Sequence, residues 1–169
     1  MYLEPKYCQN CGSALKATDP TRLHLPIDCS TCHIKIWRDP KVVAGAVVLR
    51  EDEILLVQRQ NERQSGLWSL PAGFVNRQEE PSVAAQREVL EETQIHVEVS
   101  GLLGLTSTEE IIFIAYSSLL PLKDKQVPRI SEELMMAAWH PLTRLPTLAF
   151  PHDKIFIDRA TSNIRLLLI

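Results

Sequence analysis

Residues 73–95 read GFVNRQEEPSVAAQREVLEETQI, and the acid crowded into the second half of this stretch governs how the rest of the chain is read. Pro81 suits a first helical position, and no helix breaker follows it up to Thr93, so a helix is predicted near 81–93. Successive residues of such a helix turn by about 100°, which brings Glu88, Glu91 and Glu92 onto one arc. Arg87 is the only basic residue of the helix, and no lysine alternates with the acids as it would on an ordinary solvated face. Like charges three or four residues apart repel by roughly a few tenths of a kcal/mol even at a surface. Divalent cations would supply the missing charge, and hard carboxylate oxygens suit Mg2+ or Mn2+. Ala84 and Ala85, on or beside the acidic arc, leave room for a close approach, and Val83 and Leu90 on the other side are expected to pack on a sheet. Taken alone, the same residues also fit an exposed acidic helix.

The flanking residues remove that ambiguity. From Gly73 the chain runs Gly73-x5-Glu79-x7-Arg87-Glu88-Val89-x-Glu91-Glu92-x-Gln94-Ile95. This resembles the box of the Nudix hydrolase family, Gly-x5-Glu-x7-Arg-Glu-U-x-Glu-Glu-x-Gly-U with U a bulky aliphatic residue, and departs from it only at Gln94. The resemblance extends through GLWSLPAGFV ahead of the box and, more loosely, over residues 40–160. It implies that Glu88, Glu91 and Glu92 bind the cations, helped by the backbone carbonyl of Ala72. It implies that Glu79 and Arg87 brace the loop opened by Gly73 against the helix, which suits the two-pronged geometry of a guanidinium. The implied reaction is attack of water on a phosphorus of a nucleoside diphosphate joined to another group, with Glu91 and Arg87 in the catalytic machinery. The general base would be Glu133, or second Glu132, on a loop ahead of Trp139. Nearer Trp139, where relatives often carry glutamate, this chain has Met136. Glu109 and Glu110 read instead as the turn of a strand pair. A glycine at position 94 would commonly cap the helix in the left-handed conformation. Gln94 adopts that conformation at a cost of about 1 kcal/mol, so a changed helix end is expected.

Outward from the box, VVAGAVVLR (42–50) reads as a buried strand and EILLVQR (53–59) as its partner. LWSLPAGFV is a short strand entering a turn at Pro71 and Gly73. HVEVSGLLGLTST and EIIFIAYSSLL read as two strands, and ELMMAAWHPL as a strand followed by a turn. HDKIFIDRAT suggests a helix and IRLLLI a last strand. With the resemblance, this order implies a Nudix α/β/α sandwich with a mixed sheet over 39–169.

Residues 1–38 are different in kind. Cys8-x2-Cys11 and Cys29-x2-Cys32 match the four-cysteine zinc pattern, so a small N-terminal zinc ribbon is expected over 1–38, with RDPK (38–41) as a hinge. Two disulfides in a secreted domain are the competing possibility, and His24 and His33 read as bystanders. The segment has too few aliphatic residues to fold without the metal.

Hydrophobic residues at 45% and charged residues at 23% have the balance of a soluble globular protein. A net charge of −3 offers no broad basic field for nucleic acid or an anionic membrane, and the longest apolar run, at 42–49, is too short to span a bilayer. The N-terminus lacks the pattern of a secretion signal, so a cytoplasmic protein is expected. A ribbon before a Nudix domain resembles NADH pyrophosphatases and related enzymes that act on ADP-ribose or FAD. The downstream marker of the NADH branch, SQPWPFPxS, is absent. FAD or ADP-ribose is therefore the expected substrate, with release of AMP, and NADH or NAD+ the alternative. A nucleotide-sensing Nudix module without catalysis is the alternative of another class. A homodimer is usual in similar enzymes. Arg59, Arg63, Trp68, Phe74 and Tyr116 are candidate substrate contacts, with packing the competing role for the aromatic residues.

Overall fold

The computed structural model describes residues 5–16, 26–37, 39–60, 66–108, 110–121, 126–130 and 134–167, the last five of these as backbone alone. The chain divides into two compact units, Met1–Lys41 and Val42–Ile169. In the first, strands β1 (Ile27–Asp28) and β2 (Lys35–Ile36) pair antiparallel, with Ile27 opposite Ile36. Their inward residues join Cys8 and Cys29 in a small buried cluster, against which Leu15, Cys32 and Ile34 pack. That core is too small to offset the chain entropy of the unit unaided. Of the expected hinge, Asp39 and Pro40 lie outside regular structure and Lys41 already opens the next strand; Arg38 lies outside the described residues.

The β-branched run becomes β3 (Lys41–Arg50), which turns at Glu51 and Asp52 into β4 (Glu53–Arg59), antiparallel with Leu49 opposite Ile54. The short strands β5 (Trp68–Ser69) and β6 (Ala72–Phe74) lead to helix α1 (Pro81–Thr93). Strands β7 (Gly101–Ser107), β8 (Ile111–Leu119) and β9 (Leu134–Pro141) follow, and helix α2 (Pro151–Leu167) ends the described chain. One seven-stranded sheet runs β5-β4-β3-β8-β7, with β6 paired to β3 and β9 to β4. Side chains alternate across it with the two-residue period of a strand. Ala44, Ala46, Val48 and Leu55 meet Ala84, Ala85 and Val89 of α1, while Val47, Leu49, Ile54 and Leu56 meet Phe156, Ile157 and Ala160 of α2. Burial on both faces is why β3 and β4 read as continuous apolar runs. The architecture is the α/β/α sandwich with a mixed sheet that was expected. Among the described residues, no helix is long and apolar enough to cross a membrane.

Three local expectations are corrected. The side of α1 that packs on the sheet carries Ala84, Ala85, Val89 and Glu92; Val83 is exposed and Leu90 only partly covered. The acidic arc thus overlaps the buried face instead of opposing it, because the small alanines let the helix sit close to β3. The described part of IRLLLI, residues 164–167, is helix and not strand, continuing α2 through Leu167, since a short apolar run following a helical pattern does not distinguish the two by itself. The end of α1 is also unchanged by the missing glycine. Gln94 takes the left-handed conformation (φ 60°, ψ 19°), and its backbone N–H donates to the Leu90 carbonyl at 2.8 Å, as a glycine cap would.

Candidate active site

Two strand ends and the middle of α1 build the site. Pro71 turns the chain from β5 into β6, whose register against β3 sets Gly73 opposite Ala44 and Ala72 opposite Gly45. This places β6 beside α1 so tightly that a Cβ on Gly73 would collide with the Glu88 carboxylate. The box glycine therefore serves a close approach, as its φ is not positive. From α1, Arg87 reaches back over the loop. Its Nε donates to Glu79 Oε1 at 2.8 Å and its Nη2 to Glu79 Oε2 at 3.0 Å and to the Phe74 carbonyl at 2.9 Å. Glu79 also accepts the Asn76 N–H at 2.8 Å. Arg87 and this N–H hold the Glu79 carboxyl down at about 2, and the same pairing pushes Arg87 well above the usual arginine range.

The three glutamates differ in setting. Glu88 Oε1 lies 2.6 Å and Glu91 Oε2 3.1 Å from Arg87 Nη1, with Glu88 nearly covered and Glu91 largely exposed. Glu92 is buried: one oxygen accepts the Ala72 N–H at 3.1 Å and the other lies 2.7 Å from Arg59 Nη2. Burial pushes its carboxyl up to about 7, against the pull of Arg59. The Arg59 guanidinium also donates to the Ala72 carbonyl. Three carboxylates and one carbonyl thus converge, with their charge offset by two arginines.

These groups help line a cavity of about 540 Å³, together with Val43, Ile111, Phe113, Phe150 and His152. Phe74, exposed, borders it. Asp153, from the first turn of α2, also lines it. One Asp153 oxygen lies 3.4 Å from the Leu70 N–H; the other is buried without a hydrogen-bond partner, 3.5 Å from His152 Nε2. Burial pushes this carboxyl up to about 7, against the Leu70 N–H and Arg59, and burial pushes His152 down. Sequence reasoning missed both residues; His-Asp opening the last helix was their only local signal. Trp68 does not line the cavity. It packs on the core with its ring 4.3 Å from that of His140, and Tyr116 packs on the α1 side of the sheet. Glu110 precedes β8 in a turn where Thr108 Oγ1 accepts its N–H, as read from the sequence. Met136, exposed on β9, pairs with Gln58. Glu132, Glu133, Glu109, Arg63 and His24 lie outside the described residues.

In the first unit the sulfurs of Cys8, Cys11, Cys29 and Cys32 all lie within 4.8 Å of one another. Cys8 is 3.6 Å from Cys32, and Cys11 3.6 Å from Cys29. The two knuckles repeat one design: the N–H of Gly12 returns to the Cys8 carbonyl at 2.9 Å and that of His33 to the Cys29 carbonyl at 3.0 Å, both residues at positive φ. N–H groups of Cys32 and Thr31 draw the Cys29 thiol down, and Ser13 draws Cys11 to about 6. Cys8, despite a backbone hydrogen bond at Cys11, is pushed up to about 11 by burial and the neighbouring sulfurs. His33 stands at the turn and contributes no ligand to the cluster.

A mixed sheet between two helices, one of them setting carboxylates at the mouth of a cleft, defines a Nudix-type protein. Residues 39–160 match the NUDIX domain; the chain belongs to the Nudix hydrolases and is an enzyme. It is 30% identical over 130 residues to the ADP-ribose pyrophosphatase of Methanocaldococcus jannaschii, covering 73% of this chain and 75% of that protein. It is 27% identical over 156 residues to the NAD-capped RNA hydrolase NudC of Photorhabdus laumondii, covering 91% of this chain and 58% of that one. A crystal structure of a NUDIX hydrolase from Nitrosomonas europaea superposes with a TM-score of 0.81 at 25% identity, over 95% of this chain and 93% of the other. Other relatives are longer, and the chain spans 39% and 29% of two of them.

Proposed function

We propose that the protein is a Mg2+- or Mn2+-dependent pyrophosphohydrolase that splits the diphosphate of ADP-ribose or FAD and releases AMP. The observation that carries this is the convergence of Glu88, Glu91, Glu92 and the Ala72 carbonyl in a cavity that apolar and aromatic residues also line. The donor set fits the metal: four hard oxygens whose present partners are all cationic guanidiniums or N–H groups. Bound there, Mg2+ or Mn2+ would neutralise diphosphate oxygens and acidify the attacking water. Arg87, held by Glu79, fixes Glu88 and Glu91 in place. Glu133, with Glu132 second, is the proposed proton acceptor. The aromatic side chains lining the same cavity are assigned to the base. Arg59 and Phe74 border the substrate, whereas Trp68 is assigned to packing. The relative from Methanocaldococcus favours ADP-ribose over FAD; the NudC relative, matched over 91% of this chain, supports NADH or NAD+ as the second choice.

Cys8, Cys11, Cys29 and Cys32 are proposed to hold a structural Zn2+ in a ribbon over residues 1–38, ahead of a catalytic domain over 39–169. Their 3.6 Å spacings match the ~3.8 Å edge of a tetrahedron with bonds of about 2.3 Å. The enzyme is proposed to act in the cytoplasm as a homodimer. Purified protein given Mg2+ and a panel of ADP-ribose, FAD, NADH and nucleoside triphosphates is expected to release AMP fastest from ADP-ribose or FAD. Glu91→Gln and Glu92→Gln should each lower that rate by about 100-fold. Absence of turnover on every compound would leave the nucleotide-sensing module as the better account.

A further inference from the structure

The Glu92 carboxylate and the Ala72 carbonyl, assigned above to the metal, are both engaged by a residue that the Nudix box does not include. Arg59 ends β4 and donates to the Ala72 carbonyl, while its Nη2 lies 2.7 Å from Glu92 Oε1. A cation coordinated at about 2.1 Å by the same two oxygens has no room beside a guanidinium in hydrogen-bond contact with both. The two occupants exclude each other. Each also answers the same need, because a carboxylate as buried as Glu92 is costly without a positive partner.

Which partner moves follows from exposure and anchorage. Glu92 has a side-chain exposure of 7%, lies on the sheet-facing side of α1, and is tied by its other oxygen to the Ala72 N–H. Arg59 has an exposure of 29%, lines the open cavity, and sits where the β4–β9 pairing shifts register between Gln58 and Arg59. Such irregularities re-aim a side chain at the edge of a ladder. The arginine therefore has a route toward solvent and the cavity, and the glutamate has none. Once released, the guanidinium lies in the cavity that would receive a diphosphate, for which its fork of donors is suited.

Resting on the metal site proposed above, we propose that Arg59 is an exchangeable counter-ion: it occupies the Glu92–Ala72 position until a divalent ion enters, then turns to the substrate diphosphate. Metal and diphosphate thereby assist each other, since each is favoured by the arginine position that the other stabilises.

The test reads binding instead of turnover. Mn2+ affinity is measured by electron paramagnetic resonance on wild type, Arg59→Met and Arg59→Lys without nucleotide. Removing a competitor that holds the site most of the time tightens the apparent affinity by the inverse of the free fraction, so Arg59→Met should bind Mn2+ about 5- to 10-fold more tightly. Both contacts are made by Nη2; Arg59→Lys keeps the charge but its ammonium stops one bond short of that position, so it should also tighten, by about 3-fold. Weaker Mn2+ binding in both variants would mean that Arg59 only braces the site, and overturns the exchange. Lysine equal to wild type with methionine tighter reduces the effect to net charge and overturns it as well. With Mn2+ saturating, α,β-methylene-ADP should bind about 10-fold more weakly to Arg59→Met; equal affinity overturns the turn toward diphosphate. A wild type that binds no Mn2+ would instead remove the metal site itself, a failure distinct from that of the exchange.

Discussion

Replacing Gly73 by alanine separates the site from the fold. Gly73 lies in β6 with φ outside the left-handed region, so alanine is compatible with the backbone. The added Cβ would fall well under 3.0 Å from the carboxylate carbon and both oxygens of Glu88. Ordinary carbon contacts begin near 3.5 Å, so the carboxylate must retreat by about 1 Å. It is the free end of a side chain and can do so, at the loss of its 2.6 Å contact with Arg87. Arg87 keeps Glu79 and the Phe74 carbonyl, so the stability cost should be about 1–2 kcal/mol. A displacement of about 1 Å in a reacting constellation costs about 100-fold in rate. The expected result is therefore a folded Gly73→Ala protein, its melting point lowered by a few degrees, with kcat/KM on ADP-ribose down about 100-fold and Mn2+ binding weakened. Gly45→Ala supplies the contrast. There the Cβ meets the Ala72 Cβ at 2.6 Å, a Phe113 ring carbon at 2.9 Å and the Pro71 carbonyl at 3.0 Å, none of which can swing aside, so stability should fall first. A Gly73→Ala enzyme within about 3-fold of wild type would refute the packing of Glu88 against β6 as the basis of the site.

Other consequences are separable. Gln94→Gly should raise the unfolding free energy by about 1 kcal/mol in denaturant titration, because Gln94 holds a left-handed cap that glycine adopts freely; a less stable variant would contradict the strain. Asp153, raised to about 7, keeps in the folded state a proton that the unfolded chain releases from about pH 4 upward. Its stabilisation is thus full at low pH and lost as pH rises through 7. Melting curves should show wild type losing stability from pH 5 to 8 more steeply than Asp153→Asn, and parallel curves would exclude the buried carboxyl as the cause. Stripping the metal proposed for the four cysteines with a strong chelator should speed amide exchange at Ile27, Cys29 and Ile36 while β3 and β4 stay protected; protection retained at Ile36 would show that the small cluster around Ile27 suffices.

Local pattern was enough for much of this molecule. The pairing of Glu79 with Arg87 came from the resemblance to the Nudix box, whereas the bounds of α1 and the strands read at 42–50 and 53–59 follow from periodicity and a proline at the first helical position. The four cysteines announced their cluster in the same way, since each knuckle closes within a few residues. What the chain could not show is which remote segments share the cleft. The side of α1 facing the sheet depends on how closely β3 lets Ala84 and Ala85 approach. Arg59 meets Glu92 only because the ladder sets the end of β4 beside α1. Asp153 and His152 reach the cavity only because α2 packs on the opposite sheet face from α1. Short-range preferences are written residue by residue, whereas these meetings arise from strand order, and strand order is a property of the whole sheet.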